Sequence, residues 1–451
     1  MWLNENGRTK NFYFIGIGGI SMSGLAKLLR RLGYFTAGSD LVCNEQVKRL
    51  KETGIPVHIG QRSEIAAELR GADVVVFTDA IPKDDQELLF ALKAGKELLT
   101  RSALLKWVCG EFNYVTAVAG SHGKTTCTSI CAHILKAARV GFAAHIGGDD
   151  ATFGNFYMNG FEHFLTEACE YKKNVKEIIA DRAILLNVDK DHMECYRDEA
   201  DLTDTFLAFC KQAKTAIVCS DDERAARLAV RGVTFGIKDK FADYRATNLK
   251  AVAEKYSFTV TEYGNALCRV KLNAIGRCNV YNALAAFAAM RSYGISEREI
   301  VAGIESFRAV KRRFEEIGRY KNATFIADYA HHPKEIEETL KTAKRLTKKK
   351  LYVIFQPHTY SRTKLLMEDF KRVLSKLPEL VIYKTYPARE KFDETGDGKT
   401  LAAEIGESLY VDKLSVLQTY LEKTVKEGDT VLILGAGDLY FAVKFLLDRL
   451  H

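Results

Sequence analysis

The sequence contains few of the residues that build rigid linkers or disulfide frameworks. Proline occurs only 6 times in 451 residues, which excludes long polyproline segments. The 10 cysteines are scattered and none forms a C-x-x-C pair, so we expect free thiols in a reducing compartment. A zinc site at Cys127, Cys131 and His133 is the alternative, although no second ligand pair follows at a suitable spacing.

Long apolar runs are also absent from the sequence. No stretch of about 18 apolar residues occurs, so we predict no membrane span. The first residues have no apolar segment of the kind found in secretory signals, and we therefore expect a cytoplasmic protein. The formal net charge of +8 is compatible with phosphate-bearing ligands. It is too small to indicate nucleic acid by itself, and we find no clustered aromatic and basic patch, so we expect no nucleic-acid partner.

Short apolar runs alternate with helical patterns along almost the whole chain. This alternation predicts an α/β fold with parallel sheets, and the length suggests about three domains. We place the domains at residues 1–109, 110–312 and 313–451. The main predicted strands cover residues 11–17, 34–37, 73–77, 114–119, 161–166, 183–186, 324–327, 351–355, 380–385 and 430–434. Alternating residues from 233 to 273 predict an antiparallel extension of the second domain.

The first of three glycine-rich turns, GIGGISMSG at residues 16–24, follows a predicted strand and opens a predicted helix. Backbone amides in such a setting bind a pyrophosphate. Ser21 stands where the G-x-G-x-x-G pattern has its third glycine, and Asp40 closes the second strand, where related domains bind a ribose. The pattern favours a nucleotide-type ligand, with a purely structural tight turn as the alternative.

The second turn, AGSHGKTT at residues 119–126, has the closing residues of a P-loop. Its amides would surround phosphates, Lys124 would neutralise them and Thr125 would hold Mg²⁺. Val118 occupies the first glycine position of the full pattern, and the glycine is at position 120 instead. We predict ATP binding here, and a structural glycine turn is the alternative.

Acidic and imidazole side chains follow two further predicted strands: Glu167 ends one, and Asp189, Asp191 and His192 follow the next. Because the carboxyl ends of parallel strands form a ligand crevice, we expect these groups to face nucleotide phosphates through metal ions. The third glycine turn, at residues 435–438, either lines a crevice or caps its strand.

In their order along the chain, these motifs resemble the Mur ligase family. The segments are GIGGISMSGLA, AGSHGKTT, TEACEY, DKDHMECY, CNVYNALAAF, KRRFEEIG, DYAHHP, FQPHTYSRT and LGAGDLY, the last of which ends at residue 440. The resemblance implies a Rossmann-like N-terminal domain for a UDP-sugar, a P-loop ATPase-like central domain for ATP and a Rossmann-like C-terminal domain for an amino acid. The first glycine turn would then carry the substrate's diphosphate.

Within the family, DYAHHP and FQPHTYSRT most resemble the member that joins L-alanine to UDP-N-acetylmuramate. The resemblance implies an ATP-dependent reaction at the lactyl carboxylate, through an acyl phosphate, with Mg²⁺ or alternatively Mn²⁺. This is an early step of peptidoglycan precursor synthesis, on which cell-wall biogenesis, cell shape and cell division depend. The nearest alternative attaches a preformed peptide to the same sugar nucleotide in wall recycling. We expect a monomer or a weak homodimer.

The resemblance also implies a role for individual residues. The implied catalytic residues are Lys124, Glu167, His192 and His331, and the implied metal ligands are Thr125, Glu167 and His192. The UDP-sugar would contact Gly16, Gly18, Gly19, Ile20, Ser21, Met22, Asp40, Thr78, Asp79 and Ala80. ATP would contact Gly120, Ser121, His122, Gly123, Lys124, Thr125, Thr126, Asn279, Asn282, Arg313 and Asp328. The amino acid would contact Tyr329, His331 and Arg362, whose guanidinium suits bidentate pairing with a carboxylate.

The chain departs from the family's pattern at a few positions. Cys278 stands where many relatives have His, Ala327 where Asp is frequent and Glu194 where Asp is common. Ser121 replaces a common Thr. A rival interpretation is that the chain is a catalytically inactive regulator that binds a nucleotide. The presence of Lys124, Glu167 and His192 argues against it.

Overall fold

The computed structural model describes residues 7–60, 65–190, 193–228, 232–388 and 390–450. These residues form three sheets of five, ten and six strands, which confirms the predicted α/β class. The chain divides into two compact units. The first comprises Met1–Lys250, Ser257–Asn273 and Cys278–Arg308, and the second comprises Ala251–Tyr256, Ala274–Arg277 and Ala309–His451. The boundaries that we place after residues 109 and 312 stay predictions.

The first sheet is parallel throughout. Its strands are β1 (Phe12–Ile15), β2 (Thr36–Asp40), β3 (Val57–Ile59), β4 (Val74–Phe77) and β5 (Glu97–Thr100), with helices α1 (Ile20–Arg31), α2 (Glu45–Glu52), α3 (Ala67–Arg70), α4 (Gln86–Lys93) and α5 (Arg101–Cys109). The strand order is β3-β2-β1-β4-β5, and the central strand β1 is buried along its whole length. It ends at Ile15, two residues earlier than predicted, because Gly16 turns the backbone with φ +80°.

The second sheet surrounds the P-loop strand. Its strands are β6 (Tyr114–Ala119), β7 (Phe142–Asp150), β8 (Gly154–Met158), β9 (His163–Glu167), β10 (Arg182–Leu185), β11 (Thr215–Cys219), β12 (Gly232–Gly236), β13 (Tyr244–Val252), β14 (Lys255–Glu262) and β15 (Asn265–Ile275). Its helices are α6 (Lys124–Ala137), α7 (Glu199–Gln212), α8 (Glu223–Ala226), α9 (Cys278–Arg291) and α10 (Glu297–Ser306). The strand order is β15-β14-β13-β12-β11-β10-β6-β9-β7-β8, so β6 lies between β10 and β9, parallel to both.

The predicted antiparallel extension was wrong at its start. Strand β12 pairs in parallel with β11 and with β13. Within the predicted extension, the hairpins join β13 to β14 and β14 to β15, because Ala253 and Glu254 have φ values of 48° and 57°, and Tyr263 and Gly264 have values of 48° and 84°. Two such residues in a row make the tight turn that joins antiparallel neighbours. The sequence interpretation also missed the antiparallel β7–β8 hairpin.

The third sheet lies in the second unit. Its strands are β16 (Glu315–Tyr320), β17 (Ala323–Asp328), β18 (Leu351–Phe355), β19 (Leu380–Tyr383), β20 (Leu409–Val411) and β21 (Thr430–Leu434). Its helices are α11 (Pro333–Leu346), α12 (Tyr360–Leu365), α13 (Met367–Leu374), α14 (Gly398–Ile405), α15 (Leu414–Thr424) and α16 (Leu439–Leu450). The order is β16-β17-β21-β18-β19-β20, with only the edge pair β16–β17 antiparallel among these described strands. In the part of the chain that the structure covers, no helix is long and apolar enough to cross a membrane.

A buried polar network anchors the P-loop helix α6. The His133 Nε2 atom lies 3.4 Å from Asp150 Oδ2, and its Nδ1 atom lies 3.0 Å from the Ser306 hydroxyl on α10. The Ser129 hydroxyl donates a hydrogen bond to Asp150 Oδ2. Since both His133 nitrogens have partners, and no group of His, Cys, Asp and Glu among the described residues suits a metal ion, nothing supports the zinc alternative.

The Asp150→Asn variant should lose about 1–3 kcal/mol of unfolding free energy at pH 7, as expected for hydrogen bonds to a charged group. Burial alone would raise the pKa of Asp150, but the bonds from His133 and Ser129 outweigh it and lower the pKa. The extra stability is therefore complete above the ordinary aspartate pKa of about 4 and is lost as the pH falls through the lowered value. Calorimetry from pH 7 to pH 3 should show the two proteins converge; a constant difference would contradict this.

Candidate nucleotide and acceptor sites

The turn after β6 has the backbone geometry of a phosphate-binding loop. Gly120 and Gly123 adopt φ values of 129° and 87°, which side-chain-bearing residues rarely do. Gly123 is the N-cap of α6, and none of the described side chains caps its first amides. A Cβ atom on Gly123 would lie 2.5 Å from Asn282 Oδ1. The first amides of the helix therefore have no side-chain acceptor, and an anion bound in the turn would accept their hydrogen bonds.

Residues after β10 brace this turn. The His122 amide donates to Asn187 Oδ1 at 2.8 Å, and Asn187 Nδ2 donates back to the His122 carbonyl at 3.0 Å. The Asp189 amide donates to the Ser121 hydroxyl at 2.8 Å. The Asp189 carboxylate, which we expected to face phosphates, lies 3.4 Å from His122 Nε2.

Lys124 lies against its own loop and against a carboxylate that the sequence interpretation gave no role. Its Nζ atom donates to the Gly120 carbonyl at 2.5 Å and to both oxygens of Glu170 at 3.0 and 2.9 Å. The Glu170 side chain is 1% exposed. Burial alone would lower the pKa of Lys124, but the Glu170 carboxylate outweighs it and the pKa is raised. Lys124 is therefore a charged, oriented cation at the start of α6.

Two of the three implied metal ligands, Thr125 and Glu167, lie among the described residues. Thr125 is buried on the first turn of α6, and Glu167 ends β9, the strand beside β6. Glu167 Oε1 accepts a hydrogen bond from the Gly147 amide at 2.6 Å, which orients the carboxylate. A hydroxyl and a carboxylate are oxygen donors of the type that Mg²⁺ prefers. His192 and Asp191 lie outside the described residues.

The two asparagines that the resemblance implies for ATP binding, Asn279 and Asn282, are neighbours on α9. Asn282 Nδ2 donates to Asn279 Oδ1 at 2.9 Å, and Asn282 itself is buried beside Gly123. The structure thus brings together Asn282, the glycine turn and Lys124 from segments about 160 residues apart in sequence. Cys278, at the first position of this helix, is exposed.

The first glycine turn is held by the end of β2. The amides of Gly16 and Ile17 donate to the Ser39 carbonyl at 2.9 Å, and the Gly18 amide donates to Asp40 Oδ2 at 2.8 Å. Asp40, which we expected to contact a ribose, therefore shapes the turn itself. Helix α1 begins after Gly19, and none of the side chains in the described ranges caps it.

The remaining implied UDP-sugar residues lie after β4. Thr78 and Asp79 follow that strand, which pairs directly with β1. Asp79 accepts from Lys172 Nζ at 3.3 Å and from Asn174 Nδ2 at 3.4 Å. Sequence reasoning also missed Arg101, whose Nη1 atom lies 3.4 Å from the Ser21 hydroxyl at the start of α1.

The second unit contains the implied acceptor residues. His331 Nδ1 lies 3.0 Å from the Tyr329 carbonyl and 3.5 Å from Glu335 Oε2. The His331 and His358 rings are 5.7 Å apart, and Arg362 Nη1 lies 3.3 Å from His358 Nδ1. His358 therefore joins the predicted His331 and Arg362 into one cluster. The sequence motif FQPHTYSRT contained His358, but its spacing gave it no role.

Asp328 and the third glycine turn form the other end of this cluster. Asp328 accepts hydrogen bonds from the Phe314 and Ala330 amides at 2.7 and 2.8 Å. Its burial raises its pKa, which the neighbouring Arg313 opposes. Arg312 donates to the carbonyls of Gly435 and Gly437 at 2.7 and 2.9 Å. The third turn is thus fixed by an arginine that the sequence interpretation did not select.

Comparison with known proteins assigns the chain to a family. Three family models match it: "Mur ligase family, catalytic domain" over residues 11–113, "Mur ligase middle domain" over residues 118–290 and "Mur ligase, glutamate ligase domain" over residues 312–437. The UDP-N-acetylmuramate–L-alanine ligase of Clostridium acetobutylicum is 36% identical over 458 residues, covering 99% of both chains. That of Clostridium perfringens is 37% identical, covering 95% of this chain and 96% of the relative. The chain belongs to the Mur ligase family.

Solved structures agree with this assignment. The UDP-N-acetylmuramate–alanine ligase of Thermotoga maritima superposes with a TM-score of 0.84 and 28% identity, covering 98% of this chain and 99% of that one. A murein peptide ligase of Psychrobacter arcticus gives a TM-score of 0.77 at 23% identity, covering 98% of each chain, and shows the shared fold alone.

The Glu170→Gln variant should bind ATP more tightly than the wild type, by about tenfold or 1.4 kcal/mol. The substitution removes a negative charge beside Lys124 that competes with phosphate and also leaves this buried cation without its counter-ion. Calorimetric titration with a non-hydrolysable ATP analogue measures the affinity, and melting without nucleotide should show a less stable variant. Unchanged or weaker nucleotide binding would contradict this interpretation of the pair.

Proposed function

We propose that this chain joins L-alanine to the lactyl carboxylate of UDP-N-acetylmuramate at the expense of ATP. The observation that carries the proposal is an oriented lysine on a phosphate-binding turn, in a chain that is 36% identical over 99% of its length to a ligase named for this reaction. The product is an early precursor of peptidoglycan. The alternative, attachment of a preformed peptide, is disfavoured because the first eight curated relatives share the L-alanine name.

The chemistry requires the carboxylate to be activated. A carboxylate is a poor acylating agent because oxide is a poor leaving group. Attack of one carboxylate oxygen on the γ-phosphorus of ATP forms an acyl phosphate and releases ADP. The neutral amine of alanine then attacks the acyl carbon, the carbonyl–oxygen bond breaks, and phosphate leaves as the amine loses a proton.

Both steps bring anions together or build up negative charge, so the protein must supply fixed positive charge and amide donors. We assign that role to Lys124 and to the first amides of α6, in the turn bounded by Gly120 and Gly123. Mg²⁺, when bound, would neutralise the nucleotide phosphates. Thr125 and Glu167 would hold it through oxygen atoms, with His192 as the further ligand implied by the family resemblance.

The other two substrates are assigned to separate clusters. The diphosphate of the sugar nucleotide is assigned to the turn from Gly16 to Met22, where α1 begins with uncapped amides. The carboxylate of alanine is assigned to Arg362, and its amine to the His331 side. The ammonium group of free alanine must lose a proton before the amine attacks, and we assign the acceptance of that proton to the His331 imidazole.

Substrate-dependent release of phosphate from ATP tests the proposed function. Release should require both UDP-N-acetylmuramate and L-alanine, and omission of either should remove it. A preformed peptide beginning with L-alanine serves as the competing acceptor. If the peptide supports faster release than L-alanine at equal concentration, the recycling alternative replaces our proposal.

The Lys124→Ala variant should lose at least 99% of kcat while remaining folded, because it removes the cation from the phosphate turn. Lys136→Ala is a matched control, since Lys136 is exposed in the last turn of the same helix. Steady-state phosphate release measures both variants. A Lys124→Ala enzyme with more than a tenth of wild-type kcat, a loss below about 1.4 kcal/mol, would exclude this lysine as the phosphate clamp.

Substitution of Arg362 should affect the binding of alanine and leave the binding of the sugar nucleotide unchanged. Arg362→Lys keeps the charge but loses the two parallel donors, so it should raise the KM for alanine, and Arg362→Ala should raise it further. The affinity for UDP-N-acetylmuramate should stay nearly unchanged, and Lys364→Ala on the same helix should behave as the wild type. Kinetics with each substrate varied in turn provide the measurement. Weaker sugar-nucleotide binding with unchanged alanine KM would refute the acceptor assignment.

A further inference from the structure

His358, which follows strand β18, contacts Arg362 on one side and Tyr386 on another. Its Nδ1 atom lies 3.3 Å from Arg362 Nη1. Its ring stacks on the Tyr386 ring, with centroids 5.6 Å apart and planes inclined by 25°. A guanidinium group can only donate hydrogen bonds, so Nδ1 accepts, and the neutral imidazole carries its proton on Nε2. The contact therefore determines the direction of the hydrogen bond and the tautomer of His358.

The backbone beside His358 adopts an unusual conformation that several contacts maintain. Thr359 has φ +67° and ψ +144°, values that a β-branched residue rarely adopts. Its amide donates to the Tyr386 carbonyl, and the Tyr386 amide donates to the Pro357 carbonyl, both at 2.9 Å. His358 and Tyr386 also form an isolated parallel bridge beyond the ends of β18 and β19. Strain of this kind persists only where the surroundings enforce it, and here the turn places His358 next to Arg362 on the first turn of α12.

The third glycine turn supports the ring on which His358 stacks. A Cβ atom on Gly437 would lie 2.6 Å from Tyr386 Cβ, so a side chain at this position would displace the tyrosine. The Gln356 amide nitrogen donates to Asp438 Oδ1 at 2.8 Å and joins the turn to the end of β18. The glycine turn therefore packs against Tyr386, and Tyr386 packs against His358.

We propose that His358 is a positioning residue for Arg362 and holds its guanidinium plane in the orientation that binds the carboxylate of alanine. An arginine has five N–H donors, and His358 takes one of them, while bidentate pairing with a carboxylate needs two others. His358 contacts no substrate atom in this role. The inference rests on the proposed function, because Arg362 must be the group that binds the alanine carboxylate.

Orientation before binding lowers the cost of binding alanine. Arg362 is half-buried, and a long side chain of this kind loses conformational freedom when a ligand fixes it. A hydrogen bond to His358 removes part of that freedom before alanine arrives. The stack on Tyr386 and the backbone at Thr359 hold the acceptor nitrogen itself in place.

The tautomer of the neighbouring His331 supports this division of roles. His331 Nδ1 lies 3.0 Å from the Tyr329 carbonyl, which can only accept, so Nδ1 carries the proton and Nε2 carries the lone pair. The two imidazole rings are 5.7 Å apart. The lone pair of His331 is thus on Nε2, whereas the lone pair of His358 accepts a hydrogen bond from Arg362. His331 is accordingly the imidazole suited to take a proton from alanine, and His358 is the one suited to hold the arginine.

Two substitutions of His358 separate the hydrogen bond from the ring. His358→Asn keeps an acceptor, because the asparagine Oδ1 lies as many bonds from the backbone as the histidine Nδ1, but it removes the stacked ring. His358→Phe keeps a ring against Tyr386 and removes the acceptor. In steady-state kinetics the KM for alanine should rise about five- to tenfold in His358→Phe and less than about twofold in His358→Asn. Both variants should keep nearly the wild-type kcat and KM for UDP-N-acetylmuramate. Equal effects on alanine, or the reverse order, would overturn the inference.

A double-mutant cycle shows whether His358 acts through Arg362. In the Arg362→Ala background, His358→Phe should raise the KM for alanine no further, because the group that His358 orients is gone. A further increase as large as in the wild-type background would mean that His358 contacts alanine itself, which contradicts a positioning role. If Arg362→Ala alone leaves the KM for alanine unchanged, the acceptor assignment in the proposed function fails. If Arg362→Ala raises it and His358→Phe does not, only the inference fails.

Nitrogen-15 NMR of labelled histidine tests the contact in the wild-type protein. The His358 ring signals are assigned by their loss in His358→Asn. At a pH where the ring is neutral, Nε2 should carry the proton and Nδ1 should carry none. A proton on Nδ1 would exclude a hydrogen bond from Arg362 to that atom and would overturn the inference.

Discussion

The chemistry of the first unit depends on three parallel strands, β6, β9 and β10, that end at one edge of a sheet. Parallel pairing forces their carboxyl ends to the same side. The residues that follow these ends are therefore neighbours, whatever their separation in sequence. The P-loop turn follows β6, Glu167 ends β9, and Asn187 and Asp189 follow β10. The positions of the P-loop turn, of Glu167 and of the residues that contact the turn from the end of β10 follow from this one constraint.

Lys124 and Glu170 show how the charge at this edge is balanced. A buried lysine is stable only with a counter-charge and hydrogen-bond acceptors, and Glu170 and the Gly120 carbonyl provide both. The pairing keeps the ammonium group charged and directed at its own loop. Under the proposed function, an incoming phosphate shares this cation with the Glu170 carboxylate, and that competition limits the affinity for the nucleotide.

The sequence predicted the elements that have local signatures. The three glycine turns, the strands over residues 351–355 and 430–434 and the grouping of strand-end residues were all visible from spacing and apolar runs. The sequence did not reveal the contacts made by four other residues, Glu170, His145, His358 and Arg312. Those contacts depend on partners that strand pairing and packing bring close. Glu170 stands 46 residues from Lys124, and His145 stands 124 residues from Ser21, whose hydroxyl it contacts. Spacing within a motif carries no information about such pairs. The strand β12 was misjudged because parallel or antiparallel pairing depends on the neighbouring strand.

The central claim is that ATP activates the carboxylate of the sugar nucleotide, and the path of an oxygen atom tests it directly. UDP-N-acetylmuramate labelled with oxygen-18 in both lactyl carboxylate oxygens is incubated with ATP, L-alanine and the enzyme, and the released phosphate is analysed by mass spectrometry. Because the acyl phosphate loses its bridging oxygen with the phosphate, each phosphate formed during ligation should carry one labelled oxygen. Product formation with unlabelled phosphate would contradict the account.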